Sequence, residues 1–129
     1  MNRTIFITGI LFGVLAVALG AFGAHGLEKL VDANAIKTFE TGVKYQMYHA
    51  LFLLILGSTA IIPQQKKKLP FYLIVVGVVL FSFSIYFLAI NELTNFDFKA
   101  IGFITPIGGL LLILGWIVAG YRVWKSERE

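Results

Sequence analysis

Two histidines and a glutamate are the side chains of this sequence best suited to acid–base or metal chemistry: His25, His49 and Glu92. Histidine titrates near physiological pH, so a His–Glu pair could transfer a proton. The same residues could supply three zinc ligands, but two histidines without any cysteine make a poor zinc site. No nucleophile spacing, phosphate-binding loop or HExxH motif accompanies them. We therefore expect no enzyme activity, no metal and no cofactor.

The elements that must position these residues are apolar segments of bilayer length. The chain has 129 residues and is 58% hydrophobic, which exceeds the roughly half-apolar composition of soluble domains. A helix needs about 20 residues to cross a hydrocarbon core about 30 Å thick. Four segments have that length: Thr4–Ala24, Val43–Ile62, Leu69–Ile90 and Ile101–Tyr121. The predicted fold class is all-α, a four-helix bundle forming one membrane domain over residues 1–129.

The first span has an alternative interpretation as a cleavable signal peptide, because Arg3 precedes it and small residues end it. Its apolar run of about 21 residues is longer than a typical signal core. Three more spans follow it. We therefore expect this segment to stay as a membrane span.

The basic residues predict the orientation, because cytoplasmic loops carry an excess of Lys and Arg. One side of the predicted bundle, here called the basic end, holds seven: Arg3, Lys66, Lys67, Lys68, Arg122, Lys125 and Arg128. The opposite end holds four, Lys29, Lys37, Lys44 and Lys99, with five of the seven acidic residues. Both termini are therefore expected in the cytoplasm.

The net charge of +4 does not indicate nucleic-acid binding. A nucleic-acid footprint is a basic stripe on a folded surface, whereas these basic residues flank apolar segments. Lys66, Lys67 and Lys68 are expected to hold anionic lipid headgroups, each at a gain of about 1 kcal/mol.

Between the first two spans, apolar residues recur mostly every three or four positions among charged ones. This pattern is typical of an amphipathic helix. Asp32 or Asn34 is expected to cap a helix that runs through Gly42 into the second span. The segment either lies along the outer interface or packs as a helical hairpin on the bundle.

Small residues are expected to hold the helices together, because apolar side chains gain little by leaving lipid. The packing faces consist of Gly9, Gly13, Ala16, Gly20 and Gly23 in the first span and Gly108, Gly115 and Ala119 in the fourth. We predict that the first and fourth spans pair, and that the second and third face lipid over much of their surface. These faces serve either packing within the chain or a homo-oligomer contact.

The predicted topology places most polar span residues at one depth, toward the outer face. They form a candidate functional cluster: His25, Tyr45, Gln46, Tyr48, His49, Asn91, Glu92, Thr105 and Pro106. His49 is the sharpest candidate, either as a functional titratable group or as a neutral imidazole that bridges two helices.

The other members of this cluster have ordinary structural interpretations. Tyr45 and Tyr48, like Trp116 and Trp124 toward the other end, fit interfacial aromatic belts. Pro106 fits a helix start better than a gating hinge.

Three stretches of the chain resemble a known family. They are Gly20–Leu27 (GAFGAHGL), Tyr45–Leu51 (YQMYHAL) and Gly102–Gly109 (GFITPIGG). They resemble the signature stretches of the bacterial membrane family named domain of unknown function 423, to which transmembrane protein 256 is related. The resemblance extends over essentially the whole chain. It implies a four-span protein of the bacterial cytoplasmic membrane and carries over no catalytic residue.

The sequence thus predicts a membrane protein that acts by contact and not by catalysis. Its expected partners are membrane lipids, a membrane protein or a second copy of the chain. The alternative is a small transporter or channel, in which His49 and Glu92 line a route for protons or a small solute. Four helices leave little room for a pore, and the polar features stop halfway across the predicted bundle.

Overall fold

The computed structural model describes residues 2–126, which are helical and contain no strand. Helix α1 spans Arg3–His25 and α2 spans Ala33–Ser58. The next helix has three parts, α3 (Lys68–Val78), a π-helical segment (Val79–Phe83) and α4 (Ser84–Ala89). Helix α5 spans Ile104–Trp124. Short 3-10 turns lie at Leu27–Lys29, Gln64–Lys66, Asn91–Leu93 and Phe98–Ile101. The predicted all-α class is confirmed for these residues, and Arg128 lies outside them.

Within residues 2–126, three helices with their adjoining turns are long and apolar enough to cross a membrane: Arg3–Lys29, Gln64–Ala89 and Phe98–Trp124. Helix α2 is not among them, although its 26 residues give a length of about 39 Å. Polar side chains such as Gln46 and His49 lower its hydropathy. It begins at Ala33, next to the predicted cap, so it continues ten residues before the predicted span, and it ends at Ser58 instead of Ile62.

The start of α2 confirms one local prediction. The side chain of Asp32 accepts a hydrogen bond from the backbone N–H of Ala35 at 2.8 Å, and the helix continues through Gly42. Leu27, before this cap, is buried in an apolar cluster with Phe39 and Ala89. The segment between α1 and α2 therefore packs on the bundle through this cluster.

The predicted pairing of the first and last spans is wrong. Helix α1 packs mainly against α2, and α5 packs mainly against α3 and the π segment. Helix α2 also contacts α3 and α4, so it lies between its two neighbours. The third predicted span is also more buried than the first and fourth, since 39% of the apolar window is buried in the α3–α4 helix but 17% in α1 and in α5.

The small residues of α1 lie on its α2 side. An added Cβ at Gly9 would be 2.9 Å from the carbonyl oxygen of Ala50, and one at Gly23 would be 2.9 Å from the Phe39 ring. The full set of predicted packing residues on α1 is Gly9, Gly13, Ala16, Gly20 and Gly23, whose glycines all have α2 atoms nearest and whose alanine is fully buried.

The small residues of α5 lie on its α3 side. At Gly108 an added Cβ would overlap the backbone of Leu80 and Phe81 in the π segment. At Gly115 it would be 2.6 Å from the Ile74 side chain. These helices are neighbours in sequence, and short connections favour antiparallel packing of sequence neighbours.

Three close approaches occur at glycines that the sequence analysis did not single out: Gly42, Gly57 and Gly77. An added Cβ at Gly42 would be 2.6 Å from the Tyr86 ring, and one at Gly77 would be 2.7 Å from Leu112. Glycine spacing in α2 and α3 is not periodic, so the pattern alone gave no signal for these contacts.

Lys67 is fully buried at the basic end, unlike the exposed Lys66 and Lys68. Its Nζ donates to the carbonyl oxygen of Thr59 at 2.8 Å and to that of Gly57 at 3.4 Å. The last carbonyls of a helix lack intrahelical donors, and an ammonium group satisfies them. Lys67 thus caps the C-terminal end of α2. Its side chain is therefore not available to a lipid headgroup, contrary to expectation.

Replacing Lys67 with methionine is expected to lower the free energy of unfolding by about 1–3 kcal/mol, because a buried carbonyl loses its donor. Lys68→Met is the matched control, since the neighbouring lysine is exposed and surface changes usually stay within about 0.5 kcal/mol. Unfolding in mixed micelles with rising dodecyl sulfate measures both variants. Equal losses for the two would contradict the role of Lys67 at the helix end.

Candidate functional site

A fully buried glutamine connects three helices near the middle of the structure. Gln46 Nε2 donates to the carbonyl oxygen of Phe12, midway along α1, at 2.9 Å. The hydroxyl of Tyr86 on α4 donates to Gln46 Oε1 at 2.6 Å. Both ends of the amide are therefore engaged, and α1, α2 and α4 are joined by one side chain.

His49 bridges α2 and α5. Trp116 Nε1 donates to His49 Nε2 at 3.0 Å, and His49 Nδ1 lies 2.6 Å from the carbonyl oxygen of Tyr45. An indole N–H only donates and a carbonyl only accepts, so Nδ1 carries the proton and Nε2 is the acceptor. His49 is thus a neutral imidazole with both ring nitrogens engaged, which is the second of the two interpretations predicted for it.

Trp116, predicted to lie in an interfacial aromatic belt, is 53% exposed and also has partners on α2. It is midway along α5, where its ring packs 4.5 Å from that of Phe52 as well as donating to His49. The histidine partner on another helix could be recognised only once the two helices were placed.

Two serines in the apolar third helix make further contacts between helices. Ser82 is fully buried and its hydroxyl donates to the carbonyl oxygen of Gly42 on α2 at 2.8 Å. The Ser84 and Thr105 hydroxyl oxygens are 2.6 Å apart and join α4 to α5. Neither serine was among the predicted site residues, although two hydroxyls in an otherwise apolar segment were a visible signal.

Pro106 is the third residue of α5. The first turn of a helix has no intrahelical acceptors for its N–H groups, so a proline there removes no hydrogen bond. This position agrees with the helix-start interpretation of Pro106.

Two remaining members of the predicted cluster lie beside His49, because the Tyr45 ring is 5.6 Å from that of Tyr48 and 6.4 Å from that of His49. The other members lie apart from this group. His25 is exposed at the end of α1, and Glu92 is exposed in the turn after α4. Asn91 organises its own loop, because its Oδ1 accepts from the backbone N–H of Phe98 at 2.7 Å. Tyr45 and Tyr48 are 40% and 52% exposed on the side of α2. Among residues 2–126 no three His, Cys, Asp or Glu side chains are grouped to hold a metal ion.

A lateral groove of about 480 Å³ runs between α2 and α5. Tyr48 and Trp116 line it toward the middle of the helices, and Thr59 and Val123 line it toward the basic end. Ala119, predicted as a packing residue, is 9% exposed and lines this groove. The groove remains because α2 and α5 meet through His49 and Trp116 without close backbone packing.

A second cavity, of about 360 Å³, lies at the basic end. Its cationic lining residues are Lys66, Arg122 and Lys125, and none of its lining residues within the described chain is acidic. The guanidinium of Arg122 donates to the carbonyl oxygen of Lys66 at 2.6 Å, which joins the end of α5 to the turn before α3.

Comparison with known proteins identifies relatives along almost the whole chain. Residues 19–109 match the family described as "Protein of unknown function (DUF423)". A UPF0382 membrane protein of Haemophilus influenzae is 40% identical over 91% of this chain and 90% of its own length. The UPF0382 membrane protein YwdK of Bacillus subtilis is 37% identical over 90% of this chain and 92% of its own. No solved structure matches.

Proposed function

This chain belongs to the DUF423 family of bacterial membrane proteins, and we propose that it crosses the cytoplasmic membrane four times and acts by contact with another membrane component, not by catalysis. The main support for this proposal is the hydrogen bonding of the buried polar side chains. Within the described residues, no buried side-chain nitrogen or oxygen lacks a hydrogen-bond partner. These groups hold helices together, and the exposed helix faces are largely apolar.

The fourth span in this proposal is α2. Polar side chains in a lipid core are costly unless they are paired inside the protein. Gln46 and His49, which lower the hydropathy of α2, are both buried and bonded to other helices. Their polarity therefore supports burial of α2 among its neighbours within the membrane.

A proton or solute route through His49 and Glu92 has no comparable support. Both nitrogens of His49 are occupied by fixed partners, while Glu92 is exposed in a turn beyond α4. The two side chains do not form a common path in the described structure. The proposal therefore assigns His49 a role in joining helices.

The topology is tested by single cysteines, because the chain contains none of its own. Asn34, the second residue of α2, and Gln65, beyond the C-terminal end of α2, are both exposed. In intact cells we expect a membrane-impermeant maleimide to label Asn34→Cys, and Gln65→Cys only after permeabilisation. The reverse pattern would contradict the orientation, and equal labelling of the two would show that α2 does not cross the membrane.

Action by contact is tested by photo-crosslinking in native membranes. A benzophenone amino acid replaces Tyr48 in the groove or, as the matched control, Tyr72, which is 56% exposed on α3. We expect a reproducible protein or lipid adduct from position 48 that position 72 does not form. Identical adduct patterns from both positions, identified by mass spectrometry, would contradict a specific contact.

A further inference from the structure

The groove between α2 and α5, called here the lateral groove, continues into the cationic cavity at the basic end. On both walls, a residue that lines the groove is next in sequence to a residue that lines the cavity. Ile62 lines the groove and Pro63 lines the cavity, while Val123 lines the groove and Arg122 lines the cavity. An apolar channel along the helices thus ends beside positive charge.

The dimensions of the lateral groove suit a hydrocarbon chain. From Tyr48 to Thr59 the α2 wall extends about 16 Å at the helical rise per residue. Its lining is almost wholly apolar, and Gly120 contributes no side chain to fill it. Leu51 and Ile55 on the α2 wall are at least half exposed.

The cavity suits a phosphate group. Lys66 and Lys125 are exposed there beside Arg122. A guanidinium has five N–H donors, so Arg122 retains donors after it bonds the Lys66 carbonyl. Arg and Lys side chains pair strongly with phosphate oxygens.

We propose that an anionic phospholipid of the leaflet at the basic end binds here, with one acyl chain in the lateral groove and its phosphate among Lys66, Arg122 and Lys125. This inference rests on the proposed action by contact and names the partner. Charge complementarity favours an anionic lipid, because an apolar helix of a second copy would bring no negative charge to the cationic cavity. Lys67, buried and bonded to Thr59, takes no part.

Trp116 reports directly on the groove. The chain has two tryptophans, so Trp124→Phe leaves Trp116 as the only one. The protein in this background is reconstituted in phosphatidylcholine with a fixed fraction of lipid carrying brominated acyl chains, either phosphatidylglycerol or phosphatidylcholine. Bromine quenches tryptophan emission on contact, so the quenching gives the relative association of the two lipids.

We expect brominated phosphatidylglycerol to associate about tenfold or more strongly than brominated phosphatidylcholine, since each Lys or Arg near an anionic lipid changes association about fivefold. Lys66→Gln/Lys125→Gln should lower this preference severalfold, to no more than the roughly fivefold contribution left to Arg122. Lys29→Gln/Lys37→Gln removes the same charge from exposed residues at the opposite end and should keep it. Gly120→Leu, where an added Cβ meets nothing within 4 Å, should fill the groove and reduce quenching by phosphatidylglycerol to that by phosphatidylcholine.

Equal quenching by both lipids in the Trp124→Phe protein, or the same loss of preference in the two double variants, would overturn the lipid inference. Absence of quenching by either lipid would also overturn it, because the groove would then be covered. A specific protein adduct from position 48 would, in that case, leave action by contact standing. If position 48 formed no specific adduct, the proposed function itself would be contradicted.

Discussion

The Gly108→Ala variant is expected to lose about 2–3 kcal/mol of unfolding free energy, the upper range for overpacking. The added Cβ would overlap the amide nitrogen of Phe81 and lie 2.7 Å from the carbonyl carbon of Leu80. Both atoms belong to the backbone of the π segment, so no side-chain rotation can relieve the overlap. Helix α5 would have to move away from α3, and the bond between Ser84 and Thr105 would lengthen or break.

Gly120→Ala is the matched control on the same helix. An added Cβ at Gly120 meets nothing within 4 Å, and alanine favours a helix over glycine by up to about 1 kcal/mol. Circular dichroism in mixed micelles, followed as the dodecyl sulfate fraction rises, compares the two variants. Equal midpoints would show that α5 does not approach the π segment at Gly108.

Gln46→Leu is the second substitution with a large expected effect, a loss of about 2 kcal/mol in unfolding free energy. It keeps most of the side-chain volume but leaves the Tyr86 hydroxyl without its acceptor and the Phe12 carbonyl without its side-chain donor. Gln46 is fully buried and both partners are half-buried between helices, and a lipid core supplies no water to replace the lost bonds. The helices α1 and α4 would each lose their polar link to α2.

A double-mutant cycle isolates the bond between Gln46 and Tyr86. Tyr86→Phe alone is expected to cost about 1 kcal/mol, and the pair to show a coupling energy of about 0.6–1.7 kcal/mol, as found for hydrogen bonds between membrane helices. Tyr72→Phe removes an exposed hydroxyl from α3 and should change stability by less than about 0.5 kcal/mol. Zero coupling would mean that the two side chains do not bond in the folded protein.

The positions of the helices followed from the sequence wherever the signal was local. The apolar runs predicted the first, third and fourth helices closely, and the Asp32 cap was predicted because its hydrogen bond spans three residues. The start of α2 was predicted from this cap, whereas its end at Ser58 was not. The contacts of its first half with Gly23 of α1 and Tyr86 of α4 depend on the placement of other helices and were not predicted.

The candidate site followed from the sequence much less well. Gln46, His49 and Thr105 were singled out as unusual polar residues, yet they bond separate partners and do not share one site. Gln46 bonds α1 and α4, His49 bonds α5, and Thr105 bonds α4. The lateral groove was not predicted at all. It exists because α2 and α5 are held apart by their own neighbours, which is a property of the whole packing.

The sequence by itself therefore determined that this protein is helical, where its apolar helices lie and to which family it belongs, because hydropathy, caps and motifs act over short stretches of chain. The tertiary structure alone decided which helices pair, that Lys67 is buried, and that His49 meets Trp116. The physical reason lies in the similarity of the helix faces. A face of small residues fits several apolar helices almost equally well in lipid, so the choice depends on the shape of all helices together.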